Sequence, residues 1–331
     1  MDRVAWLLGN SSPASNILEI GAGYGPIAPK SAGWRTHVVD HASREELRRK
    51  YQTANVNVDA IEEVDTIWRD GPLDAAVPAG MHGQFDTLIA SHLIEHMPDL
   101  AGFLLASQRL LKPDGVINLA IPDRRYCFDY FRPMTTTGDV LDAHAARRRR
   151  HSLATAWDQL AYAVLNEGEM AWGQEPVGRL AFIDPFANAA ATYAMMSQNP
   201  GTEYRDYHAW TFTPSSFSLL ILELGCLGVT DWRVDTLHGP ERFEFFATLR
   251  RGARQYADPD ALQAARMELL QGQFRELGEQ FARSAMGEAS GSADLNAGTS
   301  VPRPRVRTGL GRIAAAVQKR LRRDATTKPA R

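Results

Sequence analysis

The chain is poor in cysteine, with only Cys127 and Cys226 among 331 residues. Two thiols so far apart supply neither a disulfide framework nor a cysteine zinc site, and they read as core or near-core thiols of a reducing compartment. Long apolar runs are missing as well. The run around Leu219 to Leu224 is far shorter than the roughly 20 residues needed to cross a bilayer. Residues 1–8 carry no basic segment leading into a signal-length apolar stretch, so the expectation is a cytoplasmic protein. Net charge is also small, −2 at pH 7. That near-neutrality hides an asymmetry: residues 301–331 hold ten Lys or Arg against one acid, Asp324, a charge of +9, which leaves −11 on the rest. An acidic body excludes a nucleic-acid clamp. No internal repeat is present.

What is there is ordinary globular composition, 44% apolar and 23% charged, with length enough for an ample core. Residues 16–20 form a short apolar run that ends in Gly21, Gly23 and Gly25. This predicts a strand running into a glycine turn. Further strands are predicted over 36–39, 63–68, 85–91 and 116–121. Ser43 and Glu46 form a capping box opening a helix over 43–51, and 100–111 reads as an amphipathic helix. The Lys112, Pro113, Asp114 and Gly115 stretch reads as a turn. Strand and helix alternating at this spacing predict an α/β fold with a doubly wound, mostly parallel sheet. Beyond Pro122 the alternation stops, and residues 123–210 read as helical or irregular. A helix over 214–224, with Thr213 as N-cap and Pro214 at its first position, follows. Strands over 229–237 and 243–249, joined by a turn at His238, Gly239 and Pro240, close the sheet to seven with an antiparallel pair. A helix over 258–285 and a Gly/Ser/Ala linker over 287–300 precede the basic tail. The division is therefore a main domain over 1–251 with an insertion over 122–210, a C-terminal helix over 252–286, and a linker and tail over 287–331.

The glycine turn carries the chemistry. A parallel strand bending sharply into a helix needs residues without a Cβ where backbone approaches a ligand. Asp40 follows Glu19 by 21 residues at the end of the next strand, where a carboxylate can take both hydroxyls of an adenosine ribose. A dinucleotide fingerprint would place a third glycine where Pro26 stands, which counts against NAD. Glu19, Gly21, Gly23 and Gly25, together with Asp40, Phe85-Asp86, the stretch from Ser91 to Asp99 and the turn from Leu110 to Gly115, resemble class I S-adenosylmethionine-dependent methyltransferases of the type 11-like group. The resemblance covers roughly residues 16–121, with the sheet completed by 213–250. It implies a Rossmann-like fold and S-adenosylmethionine as cofactor. It further implies Gly21, Gly23 and Gly25 against the methionine part, Glu19 near its amino group, Asp40 on the ribose with His41 beside the adenine, Asp70 and Gly71 facing the adenine amino group, and Ser91 and His92 beside the sulfonium.

The acceptor is less legible. His92, Glu95, His96 and Asp99 fall within eight residues, and on a helix His92, Glu95 and Asp99 would share a face. These are metal-ligand types, but the expectation is of no metal. A general base is the stronger use of an imidazole, with His92 or His208 filling it. Arg124, Arg125 and Tyr126 open the insertion and are the expected substrate contacts, although the aromatic residues there also suit packing of the cap. The run from Arg147 to His151 reads as a solvated helix face, or a contact for a sugar-phosphate or lipid-phosphate carrier. The stretches from Pro122 to Pro133 and from Tyr207 to Pro214 are similar to bacterial methyltransferases that accompany glycosyltransferases in surface-polysaccharide synthesis, which implies O-methylation of a sugar hydroxyl on a glycan or its precursor. A small-molecule carboxylate or phenol, or a catalytically silent scaffold docked to a glycosyltransferase, are the competing readings. Leu310, Ile313, Val317 and Leu321 repeat at helical spacing amid Arg and Lys. That tail reads either as a basic amphipathic helix with weak, salt-sensitive affinity for the inner membrane face or a glycosyltransferase, or as a solvated segment.

Overall fold

A computed structural model of the protein describes residues 2–9, 11–198, 204–253, 256 and 258–291. The chain begins with α1 (Arg3–Leu8) and then alternates β1 (Asn16–Ile20), β2 (Arg35–Asp40), α2 (Arg44–Tyr51), β3 (Thr66–Ile67), α3 (Leu73–Ala76), β4 (Phe85–Ser91), α4 (Leu100–Leu110) and β5 (Leu111–Pro122). The insertion follows, with α5 (Thr137–Ala145), α6 (Leu153–Tyr162), β6 (Val164–Asn166), β7 (Leu180–Phe182) and α7 (Phe186–Gln198). The end is α8 (Pro214–Cys226), β8 (Trp232–Glu241), β9 (Glu244–Arg251) and α9 (Pro259–Gly291). No described helix is long and apolar enough to cross a membrane.

Seven strands form one sheet in the order β3-β2-β1-β4-β5-β9-β8. The first five are parallel, and β9 lies antiparallel between β5 and β8. Strands β1, β4 and β5 are buried along nearly their whole lengths, which explains why they read as continuous apolar runs rather than alternating ones. The strand order reverses beside β1, where its neighbours β2 and β4 diverge, and the carboxyl ends of these strands open a crevice there.

Local signals written in the sequence form as expected at several ends. Ser43 and Glu46 make the reciprocal capping box of α2, and Thr213 caps α8 with Pro214 in its first turn. Elsewhere tertiary pairing moves the boundaries. The third strand shrinks to Thr66–Ile67, because as an edge strand it pairs only with Val39 and Asp40. Lys112, Pro113, Asp114 and Gly115 are taken into β5 as an irregularity between the Phe85–Leu111 and Thr87–Val116 pairs. His238, Gly239 and Pro240 belong to β8, and the hairpin turns instead at Arg242 and Phe243. The reason is burial: Phe243 packs into the aromatic cluster of the insertion with Tyr126, Phe128 and Trp172. The small β6–β7 hairpin within the insertion is a further departure from the helical expectation. Helix α9 continues through the start of the expected linker to Gly291 and packs against α8. The basic tail at 301–331 lies outside the described residues.

The main core fills one side of the sheet with α4 and α8, and Trp232 is its largest fully buried side chain. The Trp232 indole N–H donates to the Leu104 carbonyl at 2.9 Å, so the ring is satisfied as well as packed. Trp232→Ala should lower the unfolding free energy by about 4 kcal/mol in urea titration, through lost transfer energy and a cavity. Phe281→Ala, at a ring 72% exposed on α9, should change it by no more than about 0.5 kcal/mol.

Candidate active site

The bend after β1 is held from inside. Glu19 is buried, and its two carboxylate oxygens accept from the backbone N–H groups of Ile27 at 2.6 Å and Ala28 at 3.1 Å. Gly21 and Gly23 take left-handed conformations, φ 68° and 50°, which only glycine adopts without strain. Asp40, at the end of β2, turns toward this loop. One of its oxygens accepts from Gly23 N at 3.3 Å, and the other from His41 N at 2.7 Å. A side chain at Gly21 would lie 3.5 Å from Leu93 Cδ1 and at Gly23 would meet only the Gly21 carbonyl, so the bend is not filled by protein.

Two connected chambers open here. The larger, about 670 Å³, runs from Gly21 and Gly23 past Asp40 and His41 to Trp68, Asp70 and Gly71. Its volume falls within the range of small-molecule and cofactor sites. With glycine backbone at one end, a buried carboxylate in the middle and the apolar rings of Trp68 and Phe103 beyond, it fits an adenosyl cofactor. Asp40 would take the ribose hydroxyls, and Asp70, at the far wall of the chamber, would face the adenine. There Arg150 pairs with Asp70 at 3.1 Å and holds its carboxyl below the usual range.

The smaller chamber, about 100 Å³, shares Gly21, Gly23, Tyr51, His92, His96 and Asp206 with the larger one. Ser91 ends β4 at its wall and accepts a hydrogen bond from Arg3, a residue of α1. His92 follows in a left-handed conformation, φ 50°, with its Nε2 against Glu244 at 2.7 Å. Burial would raise the Glu244 carboxyl, but Arg3 at 2.9 Å and His92 outweigh it and hold the group ionised. His208 is buried, with its Nδ1 against Asp129 at 2.6 Å. Burial likewise opposes the Asp129 charge, yet His208 and Arg132 keep its pKa well below the usual range. His96 faces Asp206 across 2.9 Å, an ion pair lying off the hydrogen-bonding direction. Burial acts against the His96 charge, but Asp206 prevails and lifts the ring to about 9. Burial pushes the Cys127 thiol far up, so it is no nucleophile.

Several residues singled out by sequence occupy other places. Glu19 lines neither chamber, since the loop backbone takes both its oxygens, and Gly25 is a turn residue whose N–H donates to Ala22. Arg124, Arg125 and Tyr126 are buried and face α9 instead of a substrate. Arg124 reaches Gln280 and the Tyr130 and Arg132 carbonyls, Arg125 bridges Asp123 and Glu279, and the Tyr126 ring lies between Arg125 and Arg283. The reason is distance along the chain: α9 supplies partners more than 150 residues away. Residues 147–150 follow α5 and line the large chamber, while His151 is buried, with burial pushing its ring down to about 3. Of the expected His92, Glu95 and Asp99 face only the first two meet, His92 Nδ1 lying 3.7 Å from Glu95 Oε1, because Ile94–His96 is a 3-10 turn and Asp99 caps α4 and meets His144 at 3.0 Å. Asp129, Asp206 and Glu244 escaped sequence reasoning. They belong to no motif and reach the site only through the insertion and the closing hairpin.

A family model for the methyltransferase domain matches residues 1–168. The chain belongs to this family, and S-adenosylmethionine is its methyl donor. The sheet order and the antiparallel β9 are those of the Rossmann-like methyltransferase fold. Among solved structures, the chain is similar to a protein named as a Zn-dependent alcohol dehydrogenase from Rhodobacter sphaeroides, at 14% identity over 76% of this chain and 91% of that one, with a TM-score of 0.44. It is similar to the CcbJ methyltransferase of Streptomyces caelestis at 13% identity, over 75% and 94%, with a TM-score of 0.39. The 1,6-didemethyltoxoflavin-N1-methyltransferase of Burkholderia thailandensis, solved with S-adenosylhomocysteine, matches at 14% identity over 75% and 76%, with a TM-score of 0.36. No curated protein matches the chain.

Glu19 yields a pH test of the loop. Burial raises its carboxyl from 4.5 to about 7 despite the two backbone N–H donors. A raised folded pKa gives a stabilisation that is complete below pH 4.5 and lost as pH rises through about 7. The urea midpoint of the natural chain should fall across that window, and the Glu19→Gln profile should be flatter.

Proposed function

We propose that the protein transfers a methyl group from S-adenosylmethionine to a hydroxyl of a polar acceptor, a sugar hydroxyl of a glycan or glycan precursor. The observation that carries this reading is His92, which lines both chambers and is oriented by a buried carboxylate. When bound, S-adenosylmethionine supplies a methyl group already activated by its sulfonium. The protein must then align the acceptor, exclude water and remove one proton. Gly21 and Gly23 admit the donor close to backbone, and Asp40 orients it through the ribose. Phe128 and Phe243 offer apolar faces on which a sugar ring can lie, and Gln159 adds a neutral polar contact. His92 takes the hydroxyl proton while Glu244 stabilises the resulting imidazolium.

The small chamber has no Arg or Lys among its lining residues. The one imidazole there with a raised pKa, His96, already faces Asp206, so the lining favours a neutral hydroxyl over a carboxylate acceptor. Arg147 and Arg149 at the wall of the large chamber suit a sugar carried on a phosphate. Two measurements test the reading. Asp40→Ala should raise the calorimetric Kd for S-adenosylmethionine about 30-fold, as expected for losing charge-assisted hydrogen bonds to the ribose. His92→Gln should leave that Kd within a factor of about 3 and lower kcat about 100-fold or more for a sugar-hydroxyl acceptor. Methylation of phenols or carboxylates alone, across a panel that includes glycans, would refute the sugar assignment.

A further inference from the structure

Glu95 is fully buried, and neither of its carboxylate oxygens has a hydrogen-bond partner. A buried carboxylate without a hydrogen bond is strongly unfavourable, and the nearest imidazole nitrogens, His92 Nδ1 at 3.7 Å and His96 Nε2 at 3.9 Å, stand too far away to donate one. The side chains around it are imidazoles. His96 Nε2 lies 3.9 Å from Glu95 Oε1, and one ligand atom each from Glu95, His96 and His208 lies within 4.8 Å of the others. Both imidazoles have their Nδ1 against a carboxylate, His96 on Asp206 at 2.9 Å and His208 on Asp129 at 2.6 Å. This leaves the two Nε2 atoms as the ring nitrogens open to an ion, that of His96 once its proton is lost. The hydrogen bond that Asp129 accepts from His208 is the outer-shell arrangement that fixes tautomer and ring direction for a metal ligand, and Asp206 stands behind His96 as an ion pair. The backbone fixes the third relation: the Glu95 carbonyl accepts from Ala209 N at 2.6 Å and Trp210 N at 3.1 Å, which ties the segment carrying His208 to the turn carrying Glu95 and His96.

We infer that Glu95, His96 and His208 bind one divalent transition-metal ion in the small chamber. Two imidazoles and one carboxylate suit zinc and its neighbours better than magnesium or calcium, and three protein ligands leave a coordination position open. At metal–ligand bonds of about 2.1 Å the donor atoms stand roughly 3.4 Å apart, so the 3.9 Å Glu95–His96 spacing needs to close by about 0.5 Å and the widest, within 4.8 Å, by up to about 1.4 Å. Binding displaces the proton on His96 Nε2 and leaves Nδ1 on Asp206. The site was not foreseen from the sequence, where His208 and the two backing carboxylates lie over 30 residues or more from the Glu95-His96 pair. Its ligand set stands on geometry alone. Only the use of the open position, to hold the acceptor oxygen near His92, rests on the function proposed above.

The test uses the untagged full chain, stripped of metal with a chelator and titrated with Zn²⁺ and with Co²⁺. One equivalent should bind at micromolar Kd or tighter, and Co²⁺ should give visible bands of low coordination number. Glu95→Gln and His208→Gln should each weaken binding at least about 100-fold, whereas His82→Gln, at a histidine outside both chambers, should not. X-ray absorption on the zinc-loaded natural chain needs no variant, and its first shell should contain two imidazole nitrogens with oxygen. Absence of binding by the natural chain, a first shell with sulfur or without imidazole, or unchanged affinity in correctly folded Glu95→Gln and His208→Gln would each overturn the assignment. No donor or acceptor enters these measurements. A chain that binds the ion but methylates no hydroxyl would keep this site and refute the proposed reaction.

Discussion

The buried Glu19 carboxylate and the two backbone N–H groups it accepts from are the constraint on which the rest of the site depends. They close the loop between Glu19 and Ala28, so that Gly21 and Gly23 pass the mouth of the sheet in left-handed conformations. Asp40 then braces the same loop through Gly23, with its carboxylate at the centre of the large chamber. A carboxylate that touches no ligand thereby shapes the surface that does. Burial lifts its pKa, and that strain is the physical expense of placing the acid where the loop needs it.

The second organising feature is the insertion, which forms a wall and is secured at both ends. Arg124 and Arg125 are directed into α9, where Gln280 and Glu279 meet them, and Tyr126 fills the space between two guanidinium groups. At the other end, the Glu95 carbonyl holds Ala209 and Trp210, and the Trp210 indole donates to the Met97 carbonyl at 2.6 Å. Between these attachments Asp129, Asp206 and His208 are brought over the loop that follows β4. The result is a chamber walled by histidines, each backed by a carboxylate from a different part of the chain.

The glycine bend and the carboxylate beside it were legible in the sequence, because they are local. The strand, the glycine bend and the aspartate one strand later lie within about two dozen residues, and backbone geometry alone demands their spacing. The acceptor half was not. Arg124 and Arg125 resembled ligand-binding cations because nothing nearby in sequence could pair with them. Glu19 resembled a cofactor contact because its motif position says nothing of which way the carboxylate turns. His92, Glu95 and Asp99 resembled one helix face, but Glu95 lies in a 3-10 turn and Asp99 caps α4, so only His92 and Glu95 meet.

The alternation of apolar strands and capped helices, the antiparallel closing pair and the glycine bend beside Asp40 follow from short-range pattern, which the sequence by itself determines. Which imidazole meets which acid, where the closing hairpin turns, and whether an arginine faces a ligand or a helix depend on contacts between residues 80 to 160 positions apart. Such contacts are decided only when burial of the whole chain selects one partner among many chemically equal ones, and that selection is made by the tertiary structure.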